Sequence, residues 1–335
     1  MHKLVTISAA LAALVVTTSD SNAGKFVPII PVSGSSSMTV FGINDSDIIV
    51  GSYLTEDRKE HGYFGPPDGS NYTTFDAPAG NTEPRAIAND GTITGIANTG
   101  GNGSLISFER NMSGKITTVV DRKGNPLNDI AQGIANSNDK FAGSYFNMKL
   151  VTLGYVARNS KYKKAVKLSI ANTGVGPRAL DSAGDIVGFY YDANDEPHGF
   201  LVSGGTVTTI DYPDASEVST ILEGINDEGT IAGYWEDTGT IIHGFTYDVA
   251  DGLFTSINVP HAVAYTKAFG LNNAGLVAIL SDAPGTAPAL IYCPNKITCL
   301  GNGPESKDVQ IHIALKNLPH VACVNGCLAP FSDRL

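Results

Sequence analysis

The sequence predicts an all-β protein: a β-propeller of six blades, each of four antiparallel strands, with an N-terminal strand that closes the ring. Three observations carry this. A tetrapeptide recurs six times at a steady spacing. Each recurrence is followed by short apolar segments separated by turn residues, the pattern of a blade. A copy of the last such segment stands by itself near the N-terminus, ahead of the first complete unit.

The repeat is clearest in Gly42-Ile43-Asn44-Asp45 and Gly224-Ile225-Asn226-Asp227. Weaker copies are Ala86-Ile87-Ala88-Asn89, Gly133-Ile134-Ala135-Asn136, Ala179-Leu180-Asp181-Ser182 and Gly270-Leu271-Asn272-Asn273. Successive copies lie 44, 47, 46, 45 and 46 residues apart, so one supersecondary unit is used six times. In the fifth unit, Glu223 to Asn226 reads as a short strand. Asn226-Asp227-Glu228-Gly229 is a turn, because Asn and Asp bond their own backbone and Gly accepts positive φ. Thr230 to Trp235, His243 to Tyr247 and Leu253 to Val259 are the next three strands, closed by Pro260. No segment after the N-terminal leader keeps a helical period.

Phe26-Val27-Pro28-Ile29-Ile30-Pro31 matches Phe254 to Pro260 in its pattern and in its distance to the next repeat. The chain therefore opens on a fourth strand without a blade of its own, suited to completing the last one. Ile297 to Leu300 competes for that place, and would leave the N-terminal strand on an incomplete seventh blade or on an edge.

At the N-terminus, Lys3, the apolar run Leu4 to Val16 and Ser21-Asn22-Ala23 read as a secretory signal cleaved near Ala23. The expected organisation is a signal peptide over 1–23, propeller repeats over 24–300 and a cysteine-containing extension over 301–335, in a secreted or periplasmic, monomeric protein without membrane insertion. Cysteine usage agrees with export. Cys293, Cys299, Cys323 and Cys327 allow three pairings, and local turns favour Cys293–Cys299 and Cys323–Cys327. Zinc is the rival, weakened by the lack of a Cys-x-x-Cys pair. The formal net charge is −11. An acidic chain, read here as having no Lys/Arg cluster, is a poor candidate for nucleic acid or anionic membranes.

The pattern from Gly42 to Tyr53, His61-Gly62-Tyr63, Ile186-Val187-Gly188 with His198-Gly199-Phe200, Val207 to Pro213, and His243-Gly244-Phe245 resembles the bacterial HAF-type extracellular repeat proteins. The resemblance covers most of Phe26 to Tyr292, with the second and third units degenerate. It implies an exported, propeller-like protein and little about activity.

Candidate chemistry starts from an absence: there is no Gly-x-Ser-x-Gly elbow, no His-Glu-x-x-His and no phosphate loop. No cofactor or metal is expected. His61, His198 and His243 recur once per unit, so they are spread around a ring, too far apart to share an ion. A bond to a neighbouring turn, such as the Asn-Asp turn, suits them better. The residue just before each repeat varies: Phe41, Arg85, Gln132, Arg178, Glu223 and Phe269. If the first strand is innermost, these face the axial channel, where Arg85, Gln132, Arg178 and Glu223 could grip an acidic or hydroxylated ligand. The second strand ends in Tyr53, Tyr145, Tyr190 or Trp235, with Glu56, Asp57, Asp192, Glu236 and Asp237 following. Aromatics beside carboxylates suit sugar rings, although packing between blades is the simpler role. Asp192 to Glu196 has the oxygens for calcium but not the length or glycine of a calcium loop.

These features favour a secreted module that binds a polysaccharide or a surface protein. An enzyme on polysaccharide is the alternative. A lyase would use Arg85 or Arg178 to neutralise a uronate and Tyr190 or His198 as base. A glycoside hydrolase would use Asp192 and Glu236.

Overall fold

The computed structural model describes residues 24–294 together with Cys299, apart from residue 79 and residues 99–104, 126–128, 135–139, 147–151, 169–173 and 214–218. Among the described residues there are twenty-five strands and no helix. They form six antiparallel sheets, the six blades of a propeller.

Blade 1 holds β2 (Ser37–Met38), β3 (Gly42–Ile43), β4 (Ile49–Leu54), β5 (Glu60–Gly65) and β6 (Thr73–Phe75); β2 and β3 are two halves of one inner strand, both paired with β4. Blade 2 runs β7 (Asn81–Ile87), β8 (Ile93–Asn98), β9 (Leu105–Arg110) and β10 (Ile116–Thr118). Blade 3 runs β11 (Asp129–Ile134), β12 (Lys140–Phe146), β13 (Thr152–Arg158) and β14 (Lys161–Val166). Blade 4 runs β15 (Gly174–Leu180), β16 (Ile186–Tyr191), β17 (Pro197–Ser203) and β18 (Thr206–Thr209). Blade 5 runs β19 (Thr220–Ile225), β20 (Thr230–Glu236), β21 (Ile242–Asp248) and β22 (Leu253–Ile257). Blade 6 holds β23 (Thr266–Leu271), β24 (Val277–Ser281) and β25 (Ala289–Cys293), and its fourth strand is β1 (Lys25–Pro28). Lys25 to Pro28 pair with Cys293 to Leu290, which ties the two ends of the propeller together. The fourth place is thus filled by the N-terminal strand. Ile297 to Leu300, its competitor, lies outside the described residues apart from Cys299, which is disulfide-bonded to Cys293. The signal segment, the 301–335 extension and the Cys323–Cys327 pair also lie outside them.

The repeat motifs have distinct physical jobs. The aromatic of each His-Gly-Phe unit is the central knob of its blade: Tyr63, Phe108, Tyr155, Phe200 and Phe245 are all buried. It survives in units that have lost the histidine, because burying an aromatic is worth more than a surface bond. The apolar core lies between blades. Ala142, Val156 and Leu168 of blade 3 pack on Leu180, Ile186 and Phe200 of blade 4, and Val187 and Leu201 of blade 4 pack on Leu222 and Ile231 of blade 5.

The Asn of the repeat is an interblade latch. Asn44 Oδ1 accepts from the Ser46 and Ile48 amides, which folds the turn, while its Nδ2 donates to the Ala88 carbonyl of blade 2. Asn226 does the same toward the Asn272 carbonyl, and Asn272 toward the Asn44 carbonyl across the seam between blades 6 and 1. The next residue extends the ring. Asp45 bonds Asn89 and Asn273, and Asp227 bonds Ser182 and Asn273. The Gly position is set by how closely the inner strands approach. A Cβ on Gly133 would sit 2.5 Å from Ala179 Cα, and one on Gly270 would sit 2.8 Å from the Phe41 carbonyl oxygen.

The strand limits in the fifth unit differ from expectation mainly at the start. The inner strand begins at Thr220, three residues before Glu223. The tetrapeptide marks only its second half, because a bulge between Leu222 and Gly224 interrupts the register there.

Candidate functional site

That bulge builds the site. Register shifts fall at Pro84/Ala86, Ala131/Ile134, Pro177/Ala179, Leu222/Gly224 and Ala268/Leu271. In blade 1 the break between β2 and β3 brackets Phe41. The variable residue of each unit therefore sits at the irregularity. A bulge leaves one residue out of the ladder and re-aims its side chain. As a result Phe41, Arg85, Gln132, Arg178, Glu223 and Phe269, one from each blade, line a single cavity on the propeller axis. The repeated Gly/Ala and Ile/Leu positions complete its wall, with Asp181 and Asp227 at the turns.

The cavity is about 60 Å³, room for about two water-sized groups. Phe41 and Phe269 meet edge to face at 5.2 Å, and the Arg85 guanidinium lies 4.4 Å from the Phe41 ring centre. Arg85 pairs with Glu83 at 2.6 Å. The Arg178 Nε lies 3.6 Å from Glu223 Oε1, close enough for attraction but too far for a hydrogen bond. Burial pushes the Tyr234 phenol up, and Glu223, which accepts its hydroxyl, adds to the shift. Burial likewise raises Glu60, which accepts a bond from Ser52 Oγ. Each arginine of the cavity thus faces one carboxylate, and Asp181 and Asp227 add further negative charge at the turns. Three donors remain unused: Arg85 Nε, Gln132 Nε2 and Arg178 Nε are buried without hydrogen-bond partners. Gln132 is 5% exposed. Each such group costs about 1–3 kcal/mol until it finds an acceptor.

The second set of candidates forms three equivalent stations on blades 1, 4 and 5. Tyr53, Tyr190 and Trp235 stand directly opposite His61, His198 and His243 across the second and third strands, and the rings stack at 5.2, 5.4 and 4.7 Å. Nδ1 of each histidine meets the residue that ends the fourth-strand motif: Asp76 at 2.7 Å, Asp211 at 2.9 Å and Asn258 at 3.2 Å. Nε2 turns to the loop after the second strand: Thr55 at 3.4 Å, Asp192 at 3.8 Å and Asp237 at 3.1 Å. The histidines therefore do bond turns, but not the Asn-Asp turn expected from the sequence. That turn lies at the other end of the second strand.

This geometry limits what the stations can do. Tyr190 and Trp235 are buried, each with a histidine on its ring, and Tyr212 also stacks on Trp235 at 4.7 Å. Neither offers a free face to a sugar. Tyr53 and Tyr145 are half-buried; His61 covers the first, and Tyr155 lies 6.3 Å from the second. Asp192 and Asp237 each accept two backbone amides through Oδ1. The bond from the Glu196 amide holds the Asp192 carboxyl below the usual carboxylate range, and that from the Ile241 amide does so for Asp237. A depressed carboxyl is the opposite of a general acid. Glu56 and Asp57 belong to the same loop in blade 1, where Asp57 accepts from Thr55 Oγ1.

Arg85 and Arg178 line the axial cavity, whereas Tyr190, His198, Asp192 and Glu236 do not. The Tyr190 hydroxyl is bonded to Thr209 instead. Asp192, Glu196 and His198 place potential ligand atoms within 4.8 Å of one another. Asp192 already serves its turn and His198 already serves Asp211, so this group is accounted for without an ion.

Blade 3 corrects the reading that the chain has no Lys/Arg cluster. Half of the 22 Lys and Arg residues lie between Arg110 and Lys167, and none lies between Arg178 and Lys267. The net negative charge concealed this unevenness.

No protein-family model matches the chain, and no curated protein is similar to it in sequence. Solved structures are similar in fold. TolB from Acinetobacter baumannii superposes with a TM-score of 0.52 at 12% identity, over 74% of this chain and 63% of that one, so the chain spans less than two thirds of TolB. AofleA from Arthrobotrys oligospora gives 0.50 at 12% identity, over 78% of this chain and 83% of that one. A fucose-specific lectin from Aleuria aurantia gives 0.49 at 13% identity, over 81% and 99%. At such identities the likeness is one of architecture. The chain is a six-bladed β-propeller that carries a polar cavity on its axis.

Proposed function

We propose that this chain is an exported binding protein of the HAF-repeat type that recognises the hydroxyl groups of a polysaccharide, or of a glycosylated surface partner, at the mouth of its axial cavity. One observation carries the reading: three buried donors without partners, Arg85 Nε, Gln132 Nε2 and Arg178 Nε, come from three successive blades and line one cavity. Hydroxyls fit it better than a bare anion. Both arginines already face a carboxylate, so net attraction for an anion is small, while Glu223, Asp181 and Asp227 are acceptors on the same wall. A hydroxyl can accept from the first group and donate to the second.

The volume sets the mode of binding. Sites that enclose a small molecule run to ~300 Å³ or more, and this cavity is far smaller. A ligand inserts one or two hydroxyls and rests the remainder on the surface. That suits retention of a polymer rather than catalysis on it. Titration calorimetry with a panel of neutral oligosaccharides, on the native chain and on Arg178→Ala and Gln132→Leu, tests the reading. Binding lost in both variants supports it. Binding that neither variant weakens overturns the site, and release of new reducing ends overturns the assignment as a binder.

A further inference from the structure

The basic cluster of blade 3 forms a groove. Lys140, Val156, Arg158, Lys163 and Lys164 of blade 3 face Leu180, Gly184 and Ile186 of blade 4 across a space of about 400 Å³. Its floor is apolar, because Val156, Leu180 and Ile186 belong to the core between the two blades. Its rim is cationic, and Arg158, Lys163 and Lys164 are exposed.

Two features show that the charge of Arg158, Lys163 and Lys164 is not offset among the described residues. First, Arg158 stands directly opposite Lys161, so two cations face each other across β13 and β14. Like charges placed opposite one another on a sheet are destabilising. Second, no ion pair among the described residues involves Arg158, Lys161, Lys163, Lys164 or Lys167. Carboxylates are not scarce in this chain. The segment from Ala179 to Thr266 carries fifteen of them and no Lys or Arg. Those among the described residues sit on blades 4 and 5, while the cations gather on the outer strands of blade 3. An acidic protein that holds Arg158, Lys163 and Lys164 exposed and outside any ion pair among the described residues presents a surface complementary to a polyanion.

The groove also adjoins the axial site. Leu180 lines both spaces, and the turn that contributes Asp181 to the cavity contributes Gly184 to the groove. We propose that this groove is a docking site for an acidic polysaccharide, with its uronate carboxylates on the exposed cations Arg158, Lys163 and Lys164. The proposal rests on the reading of the protein as a polysaccharide binder and specifies the charge of its ligand. It does not depend on the axial cavity being occupied.

The test is titration of polygalacturonate fragments into the native chain, with fully methyl-esterified fragments as the uncharged counterpart. Two double variants make the same change in charge: K163E/K164E in the groove, and K25E/K115E on exposed surface of blades 6 and 2 outside it. The expected result is binding of the acid form alone, weakened about tenfold or more between ~50 and ~200 mM salt by counterion release. K163E/K164E should lower affinity about tenfold or more and K25E/K115E less than about threefold, because screening confines the effect to a Debye length. All four sites are exposed, and near-ultraviolet circular dichroism checks that each variant keeps the native packing. Several results would overturn the proposal: equal binding of the esterified polymer, no binding of the acid form at low salt, or equal losses in both double variants. A single-stranded DNA that binds as tightly as polygalacturonate would reduce the groove to an unselective cationic surface. A concentration-dependent dimer abolished by K163E/K164E would assign the groove to the acidic blades of a second copy. Gln132→Leu separates the two sites. Loss there with K163E/K164E unaffected overturns the groove and keeps the axial reading, while the reverse keeps the groove and overturns the axial reading.

Discussion

Replacing Asn272 with alanine should loosen the propeller at its seam. Asn272 is 1% exposed. Its Nδ2 donates to the Asn44 carbonyl at 3.1 Å and to Asp47 Oδ1 at 3.2 Å, and its Oδ1 accepts the Leu276 amide at 3.0 Å. Alanine removes all three bonds and leaves the Asn44 carbonyl and the Leu276 amide buried without these partners. At about 1–3 kcal/mol for each stranded group, the expected loss is about 4 kcal/mol, a large share of the ~5–15 kcal/mol typical of a folded domain. Urea unfolding followed by tryptophan fluorescence reads this as a lower midpoint at unchanged slope. Asn226→Ala is the interior counterpart, since Asn226 Nδ2 donates to the Asn272 carbonyl between consecutive blades 5 and 6 while its Oδ1 accepts the Glu228 and Thr230 amides. The seam variant should unfold faster than the interior one, because blades 6 and 1 are joined in sequence only through β1. The loss should also depend on pH. Burial raises the Asp47 carboxyl, the bond from Asn272 opposes this, and Asp45 adds to the rise. Without Asn272 the folded value climbs further above the unfolded one. Such a group penalises folding above its folded pKa and is relieved as pH falls through it. The deficit of Asn272→Ala should therefore shrink between about pH 7 and about pH 4. A loss below about 1 kcal/mol, or one that grows as pH falls, would refute the reasoning.

Other expectations concern the axis, the closure and the stations. Gln132→Leu removes an unpartnered amide from the cavity and should raise the stability of the ligand-free protein by about 1 kcal/mol in urea unfolding while weakening oligosaccharide binding. Reducing the Cys293–Cys299 bond, which follows β25 at the seam, should cost about 2 kcal/mol, seen as a lower urea midpoint with reductant that Cys299→Ser reproduces. Asp237→Asn addresses a carboxyl held low by the Ile241 amide and by His243. A depressed carboxyl stabilises above its unfolded pKa, and that contribution fades as pH falls through its folded value. The advantage of the native chain over this variant at about pH 6 should therefore vanish by about pH 3 in a thermal melt series.

How much of this was legible in the sequence depends on the range of each interaction. The turns built on Asn44, Asp181, Asn226 and Asn272 are local patterns, written within a dozen residues, and their return every 44 to 47 residues gives the six-fold period. A repeat that cannot bury its own apolar face must stack on its neighbours, so the propeller followed from the spacing. The matching pattern of Phe26 to Pro31 likewise named the strand that closes it. The axial residues were identifiable as the variable positions before each repeat, but what brings Arg85, Arg178 and Glu223 to the axis is a bulge, which no composition reveals. Other features exist only once strands are paired and blades are placed around a ring. His61 meets Asp76 rather than the Asn-Asp turn because the third strand begins where the fourth ends. Tyr190 and Trp235 lose their free faces because cross-strand register sets a histidine against each. Lys140, Arg158 and Lys161, scattered along twenty-two positions of sequence, become one row of charge because β12, β13 and β14 align them. Local chemistry determined the unit and its number. Register and ring closure, which depend on contacts between distant residues, decided which side chains face one another and hence where a ligand can bind.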